Sequence, residues 1–339
     1  MVSSAGRCMQ AVFAGDIGFS DDERDVARVA RGAMVYVRER TPRSDRELTI
    51  TAGRGGALEY DYSEEGRAAS FDAEAHEWLA TLLPEVIRET GINVKARVAR
   101  IRKAGGVPAV LAEVARTQST GAKRGQYEAL IDQGNLSPDE AETIVRQAGR
   151  DLASSDGDLS SVLSKLPRTA RLSSAASSAV GDAIGRITSD GDKRSVLQQY
   201  AFTGDRAMML MAARQARTIT SDGDKASLLQ TVAARYLTGD DSLRAAYFAV
   251  AHTITSDGDK RSVLQAAVPF GHTSEDVTRS LIREARSITS DGDKSEVLIA
   301  LVDQRLLTTK TLRDAFLEAA RSIASDGDYR RVMEASLKP

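Results

Sequence analysis

The tetrapeptide Ser-Asp-Gly-Asp occurs six times in this chain of 339 residues, with its glycine at Gly157, Gly191, Gly223, Gly258, Gly292 and Gly327. The successive spacings are 34, 32, 35, 34 and 35 residues, and a degenerate copy, Ser119-Thr120-Gly121-Ala122-Lys123-Arg124, lies 36 residues before Gly157. A period near 34 accommodates two helices of about 12 to 15 residues and two short turns, the unit of a helical solenoid. Leu312, Ala315, Phe316, Ala319, Ala320 and Ile323 fall on one helical face, and Tyr329, Val332, Met333, Ser336 and Leu337 give a shorter second face. Neither helix of such a pair can bury its apolar stripe alone, so the pairs must stack. Aromatic residues make up only 5% of the chain, which suits thin, closely packed helical layers.

The motif itself has two readings. Ser155, Ser189, Ser221, Ser256, Ser290 and Ser325 each stand three residues before an acid at the start of an apolar helical run. That spacing predicts a capping box, in which the serine accepts a free N–H and the acid reaches back. Aspartate replaces the usual glutamate or glutamine. The glycine, costly inside a helix, is expected either to take a left-handed conformation or to admit a neighbouring unit closely. A competing register ends one helix at Ser189, turns at Asp190-Gly191 and caps the next helix with Asp192. The sharper reading is a calcium ladder built from Asp156, Asp158, Asp190, Asp192, Asp222, Asp224, Asp257, Asp259, Asp291, Asp293, Asp326 and Asp328. Calcium needs six or more oxygens, and no copy supplies five or six locally, so capping is preferred. Lys193, Lys225, Lys260 and Lys294 follow the motif and are expected to form exposed salt bridges with acids of adjacent units.

Residues 9 to 70 lose the helical period and alternate instead, predicting strands near 9–19, 33–40, 46–52 and 57–63 in an antiparallel sheet. Helical period resumes at Phe71-Asp72, with Trp78, Leu79, Leu82, Leu83, Val86 and Ile87 on one face. Residues 93–117 supply two further helices split at Gly105-Gly106, and Ser137-Pro138-Asp139-Glu140 is a complete helix start. The expected class is α+β, mainly α. Residues 1–70 form an antiparallel β domain, 71–117 connecting helices, and 118–339 a curved α-solenoid of about seven two-helix repeats.

The run from Phe71-Asp72-Ala73-Glu74-Ala75 through Trp78-Leu79 and Leu83-Pro84-Glu85-Val86-Ile87-Arg88-Glu89-Thr90-Gly91-Ile92 resembles a module of uncharacterised bacterial proteins. So do Ala96 to Ile101 and the repeats of the form Ser-Asp-x-Asp-Lys-Arg-x-Val-Leu. In that group a small β-rich domain precedes helical repeats, and some members resemble extracytoplasmic tails of antibiotic-sensor-type membrane metallopeptidases. The array broadly resembles HEAT-like repeats. The resemblance implies an architecture and a sensing context, without a reaction.

Catalytic constellations are missing from the sequence. His76-Glu77-Trp78-Leu79-Ala80 opens like a zinc-peptidase helix but has Ala80 where the second histidine must stand. His252 and His272, 20 residues apart, read as surface or helix-end residues, and Cys8 has no histidine partner. Gly53-Arg54-Gly55-Gly56 reads as a hairpin turn rather than a phosphate loop. No catalytic residue, cofactor or metal is therefore assigned. Lys plus Arg number 46 against 48 acids, a net charge of −2, which argues against nucleic acid. Arg97, Arg100, Arg102 and Lys103 cluster, and Arg214, Arg217, Arg283, Arg286 and Arg321 recur near the ends of first helices, where the dipole favours cations. No apolar run spans a bilayer and no signal segment opens the chain, so a soluble protein is expected, cytoplasmic, or extracytoplasmic if its start is trimmed. The expected function is a non-enzymatic scaffold that captures a protein or peptide on the concave face of the repeats. A sheet edge would offer self-association. The alternatives are a calcium-dependent sensor or adhesion module, and an accessory extracytoplasmic sensor domain of a membrane-peptidase signalling system.

Overall fold

A computed structural model describes residues 2–4, 6–169 and 172–337. Its contacts divide the chain into two compact units, Met1–Gln133 and Gly134–Pro339.

The first unit is built on a six-stranded antiparallel sheet in the order β1-β2-β5-β6-β7-β8. Its strands are β1 (Val2–Ser4), β2 (Arg7–Ala14), β5 (Met34–Thr41), β6 (Ser44–Ala52), β7 (Leu58–Glu64) and β8 (Arg67–Ala69). A second, two-stranded sheet, β3 (Ile17–Phe19) with β4 (Val26–Val29), is inserted between β2 and β5. The alternation reads directly onto the pleat: Val35, Val37, Leu48 and Ile50 are fully buried, and their neighbours in sequence are partly exposed. The expected strand at 9–19 is broken at Gly15, whose φ is +81°. A Cβ there would stand 2.7 Å from that of Ala33, so the turn needs glycine for both space and conformation. β4 escaped the sequence reading because its buried residues, Val26 and Val29, are three apart and show no alternation.

Helix α1 (Ala73–Thr90) covers one sheet face, sharing a buried cluster in which Trp78, Leu79, Leu82 and Leu83 meet Val35, Val37, Leu48 and Ile50. Asp72 caps its start, accepting N–H bonds from Glu74 and Ala75, and Gly91 ends it in the left-handed conformation. The indole N–H of Trp78 donates to Glu39 at 2.7 Å. Helix α2 (Val94–Arg116) is interrupted at Gly105 and Gly106, both non-helical, the split that the glycine pair predicts. Helix α3 (Thr120–Asp132) packs on α2 and carries the degenerate motif copy.

Among the described residues the second unit holds six helix pairs. First helices are α4 (Pro138–Asp151), α6 (Ser174–Ile184), α8 (Arg206–Ala216), α10 (Asp241–Ala251), α12 (Glu275–Arg286) and α14 (Lys310–Ala320). Motif helices are α5 (Asp156–Thr169), α7 (Asp190–Ala201), α9 (Asp222–Leu237), α11 (Asp257–Ala267), α13 (Asp291–Asp303) and α15 (Asp326–Ser336). Each first helix packs on the next first helix and each motif helix on the next motif helix, giving two layers around one continuous core. Buried tyrosines tie the units together: within the motif-helix layer the Tyr200 hydroxyl donates to the Leu163 carbonyl at 3.0 Å, and between the layers that of Tyr236 donates to the Met209 carbonyl at 2.7 Å. Ser137 and Glu140 complete a full capping box at the start of α4. The architecture is thus an antiparallel β-sheet unit followed by a two-layered helical-repeat array.

Candidate interaction surface

Every motif helix begins at the first aspartate, which excludes the register that turns at Asp190-Gly191. The hydroxyl oxygens of Ser189, Ser221, Ser256, Ser290 and Ser325 accept the N–H of Asp192, Asp224, Asp259, Asp293 and Asp328 at 3.2–3.4 Å. Ser155 instead donates its hydroxyl to Asp158 at 2.9 Å. The serine's own N–H is not taken by the acid three residues on, as a capping box requires. In the five later copies it is taken by the first aspartate of the preceding unit, whereas the Ser155 N–H donates to the Leu152 carbonyl at 2.9 Å. Asp156 Oδ2 accepts the N–H groups of Thr188 and Ser189 at 3.0 and 2.7 Å and the Thr188 hydroxyl at 2.6 Å. Asp190 does the same for Thr220 and Ser221, Asp222 for Thr255 and Ser256, and Asp257 for Thr289 and Ser290. Asp291 accepts from Ala324 and Ser325 at 3.0 and 2.8 Å. Glu89 plays this part in the first unit, accepting from Gln118 and Ser119. Asp326 opens α15 and is exposed.

These rungs set the protonation of the acids. The Thr188 hydroxyl leads the contacts that hold the Asp156 carboxyl below the usual range. For Asp190, Asp222 and Asp257 burial pushes upward, but the threonine hydroxyl and two N–H groups outweigh it and the carboxyl is lowered. The lysines also depart from expectation. Lys193, Lys225, Lys260 and Lys294 are buried rather than exposed. Lys225 Nζ donates to Asp222 of its own unit and to the Thr253 carbonyl of the next turn, both at 3.1 Å. Lys294 reaches Ser322 in the same way, and Lys260 reaches Ser287. Bridges between units are made by arginines and are part-buried: Arg261 meets Asp293 at 2.6 Å and Arg194 meets Asp224 at 3.4 Å. The motif glycine takes neither expected role. Gly191 lies within the helix at negative φ with open space at its Cβ position, and nothing in the structure explains the choice of glycine.

Among the described residues, no group of three or more histidines, cysteines, aspartates and glutamates stands ready to hold a metal ion. His76 packs against Phe71, ring centroids 4.1 Å apart, and His272 is exposed in the 3-10 segment Val268–Thr273. Cys8 is half-buried in β2. Also among the described residues, no helix is long and apolar enough to cross a membrane.

The concave feature with a distinct chemistry lies on the face of the first-helix layer. Two adjoining recesses, about 460 and 230 Å³, share Arg217 and Ala249 and run across α8, α10 and α12. Their floor is made shallow by Ala213, Ala245, Ala246 and Ala249, because small side chains at helical spacing leave the backbone ridges uncovered. On one side Arg214 in the last turn of α8 and Arg217, its C-cap residue, are exposed, and among the described residues no ion pair or hydrogen bond engages either guanidinium. On the other side Glu284 of α12 is 1% exposed and holds the side chains of His252 and Arg283 at the rim. Its carboxylate bonds His252 Nδ1 at 3.0 Å and Arg283 Nε at 3.1 Å. Arg214 stands in the last turn of α8 and Arg283 and Arg286 in the last turn of α12, the helix ends the sequence predicts for them. Arg286 also pairs with Glu318 at 2.8 Å, and Arg214 and Arg217 line a recess. The signal that could have found it was alanine and arginine sharing one face of successive first helices.

No family model, curated protein or solved structure matches the chain.

Proposed function

We propose that this protein is a non-enzymatic scaffold that binds a protein or peptide partner on the surface of its helical-repeat array, in the manner of HEAT-like arrays. The observation that carries the reading is the pair of joined recesses across α8, α10 and α12. Stacked repeats offer extended surfaces, and a site spanning three consecutive repeats uses that property. The shallow alanine floor fits a peptide backbone better than a small molecule, which needs an enclosing pocket. The reading needs no reacting group: His252 bonds the buried Glu284 carboxylate, and His76 packs on the Phe71 ring.

The test is panning of a displayed peptide library against the full chain, repeated with Ala249→Trp. Ala249 is exposed on the recess floor, so an indole there fills the site without touching the core. Peptides that enrich on the wild-type chain and are lost with Ala249→Trp support the reading. Peptides that bind both chains equally, or no enrichment at all, overturn it.

A further inference from the structure

Resting on that reading, we infer that the recess across α8, α10 and α12 takes an acidic peptide segment, with carboxylates placed to meet Arg214 and Arg217 at one end and Arg283 and His252 at the other. Four cationic or protonatable side chains from three helices converge on one groove. Glu284 is the one carboxylate lining the two recesses, and it sits behind Arg283 and His252. A buried acid in that position fixes two donors in place before a ligand arrives, so less side-chain freedom is lost on binding. Arg214 and Arg217 have their guanidinium groups uncommitted, and a planar guanidinium matches a carboxylate with two parallel hydrogen bonds.

Spacing bounds the ligand. Neighbouring packed helices lie about 8–10 Å apart, so the path from α8 to α12 is roughly 16–20 Å. An extended peptide of about five or six residues covers that length. The alanine floor on α10 lets its backbone pass close, and the apolar stretch between the two basic ends favours small or apolar residues in the middle of the segment.

A nucleic-acid strand is the competing polyanion and fits less well. The chain carries a net charge of −2, and the ring of Phe248, the aromatic residue of the groove, is buried and offers no face for a base to stack on. Two free guanidinium groups are also few against the six to ten phosphate contacts of a typical nucleic-acid site.

The experiment scans a hexapeptide library by position on the full chain, together with a labelled acidic hexapeptide, its Asn/Gln counterpart and a single-stranded oligonucleotide as probes. The expected result is selection of Asp or Glu near both ends of the hexapeptide, with affinity falling as salt rises. The double variant Arg214→Ala/Arg217→Ala should weaken binding on the order of tenfold or more. Lysine at both positions should recover part of it, and far-UV circular dichroism should be unchanged. Groove-dependent peptides with no acid preference would overturn this inference while leaving the scaffold reading intact. An oligonucleotide that binds more tightly than the acidic peptide, and loses binding in the same double variant, would overturn it in favour of nucleic acid. Binding of nothing at the groove would overturn both readings.

Discussion

The two units handle buried charge in opposite ways. In the first unit Glu23, Arg97 and Glu113 form a single cluster, each at most 9% exposed, contributed by a loop and by the two halves of α2. Arg97 bonds Glu23 and reaches Glu113 at 2.6 Å, while Arg100 meets Glu23 at 2.7 Å. Glu23 is held at φ +58°, a conformation uncommon outside glycine, by these ion pairs. In the second unit each first aspartate from Asp156 to Asp291 bonds the next unit along, over 30 to 34 residues, so the same contact recurs five times. One arrangement concentrates its electrostatic risk in three residues; the other divides it among equivalent rungs.

Breaking the concentrated cluster should therefore have the largest effect. Arg97→Met removes the buried counter-charge shared by Glu23 and Glu113 and leaves Glu23 only the more exposed Arg100, and removing one partner of a buried pair typically costs about 3–5 kcal/mol. Trp78, the sole tryptophan, lies in the core of this unit, so its fluorescence during urea unfolding reads the unit directly. The triple variant Glu23→Gln, Arg97→Met, Glu113→Gln should recover most of the loss. A single-variant change below about 1 kcal/mol would show that water reaches the cluster and that the contrast between the units is weaker than drawn.

A single rung should cost less. Asp222→Ala deprives the Thr255 hydroxyl and the N–H groups of Thr255 and Ser256 of their acceptor, and unpaired groups of this kind cost about 1–3 kcal/mol. Hydrogen exchange should quicken at Thr255 and Ser256 and stay unchanged in the first unit. Asp326→Ala, at an exposed position, should shift the melting curve by less than about 0.5 kcal/mol equivalent. Equal effects of the two substitutions would mean that the rung hydrogen bonds contribute nothing beyond the helix dipole.

The same contrast decides what the sequence discloses. Periodicity makes the array legible: a Ser-Asp-Gly-Asp string ahead of an apolar run marks a helix start wherever it recurs. The sheet was legible where Val35 and Val37 alternate with partly exposed neighbours, and illegible at β4, where they do not. The rungs were hidden for a different reason. A carboxylate beside a serine reads first as a local cap, because the spacing of three is visible and the spacing of one repeat is not. The burial of the lysines is hidden because nothing in a lysine's own neighbourhood in sequence announces that the next unit will cover it. The Glu23–Arg97–Glu113 cluster left no trace, since its members are 74 and 16 residues apart without a pattern. The groove was half visible, in arginines that recur on first helices; which of them lack an acid could only come from packing.

Acid should expose the rungs together. Asp156, Asp190, Asp222 and Asp257 have carboxyls lowered from an unfolded value of 3.8. A group depressed in the folded state contributes its full stability above the unfolded value and loses it as pH falls through the folded value. The melting temperature of the array should thus be flat from neutrality to about pH 5 and fall below 3.8, with Asp222 the last of the four to protonate. Asparagine at these four positions should lower the plateau and flatten the acid slope. An unchanged slope in that variant would place the acid sensitivity elsewhere.

Smaller still is the effect of the motif glycine. Because Gly191 is helical with open space at its Cβ position, Gly191→Ala should raise stability by up to about 0.5–1 kcal/mol. The same change at Gly15 should be destabilising, since the new methyl meets Ala33 at a positive φ. Stability lost at Gly191 would reveal a requirement for glycine that its surroundings do not show.

Calcium should have the least effect of all. The Oδ2 oxygens of Asp156, Asp190 and Asp222 each receive three hydrogen bonds from the next unit, so an ion could take them only by unmaking a rung. Calcium prefers six to eight oxygens, and the second aspartates face the arginines or serines of the motif: Asp158 takes Ser155, Asp224 Arg194 and Asp293 Arg261. A ligand well above its dissociation constant for the folded state must raise the melting temperature. Melts with excess calcium and with chelator should superimpose. A calcium-specific rise that disappears in Asp190→Asn would mean that the rungs open to admit ions, and would turn the periodic acids from joints into sites.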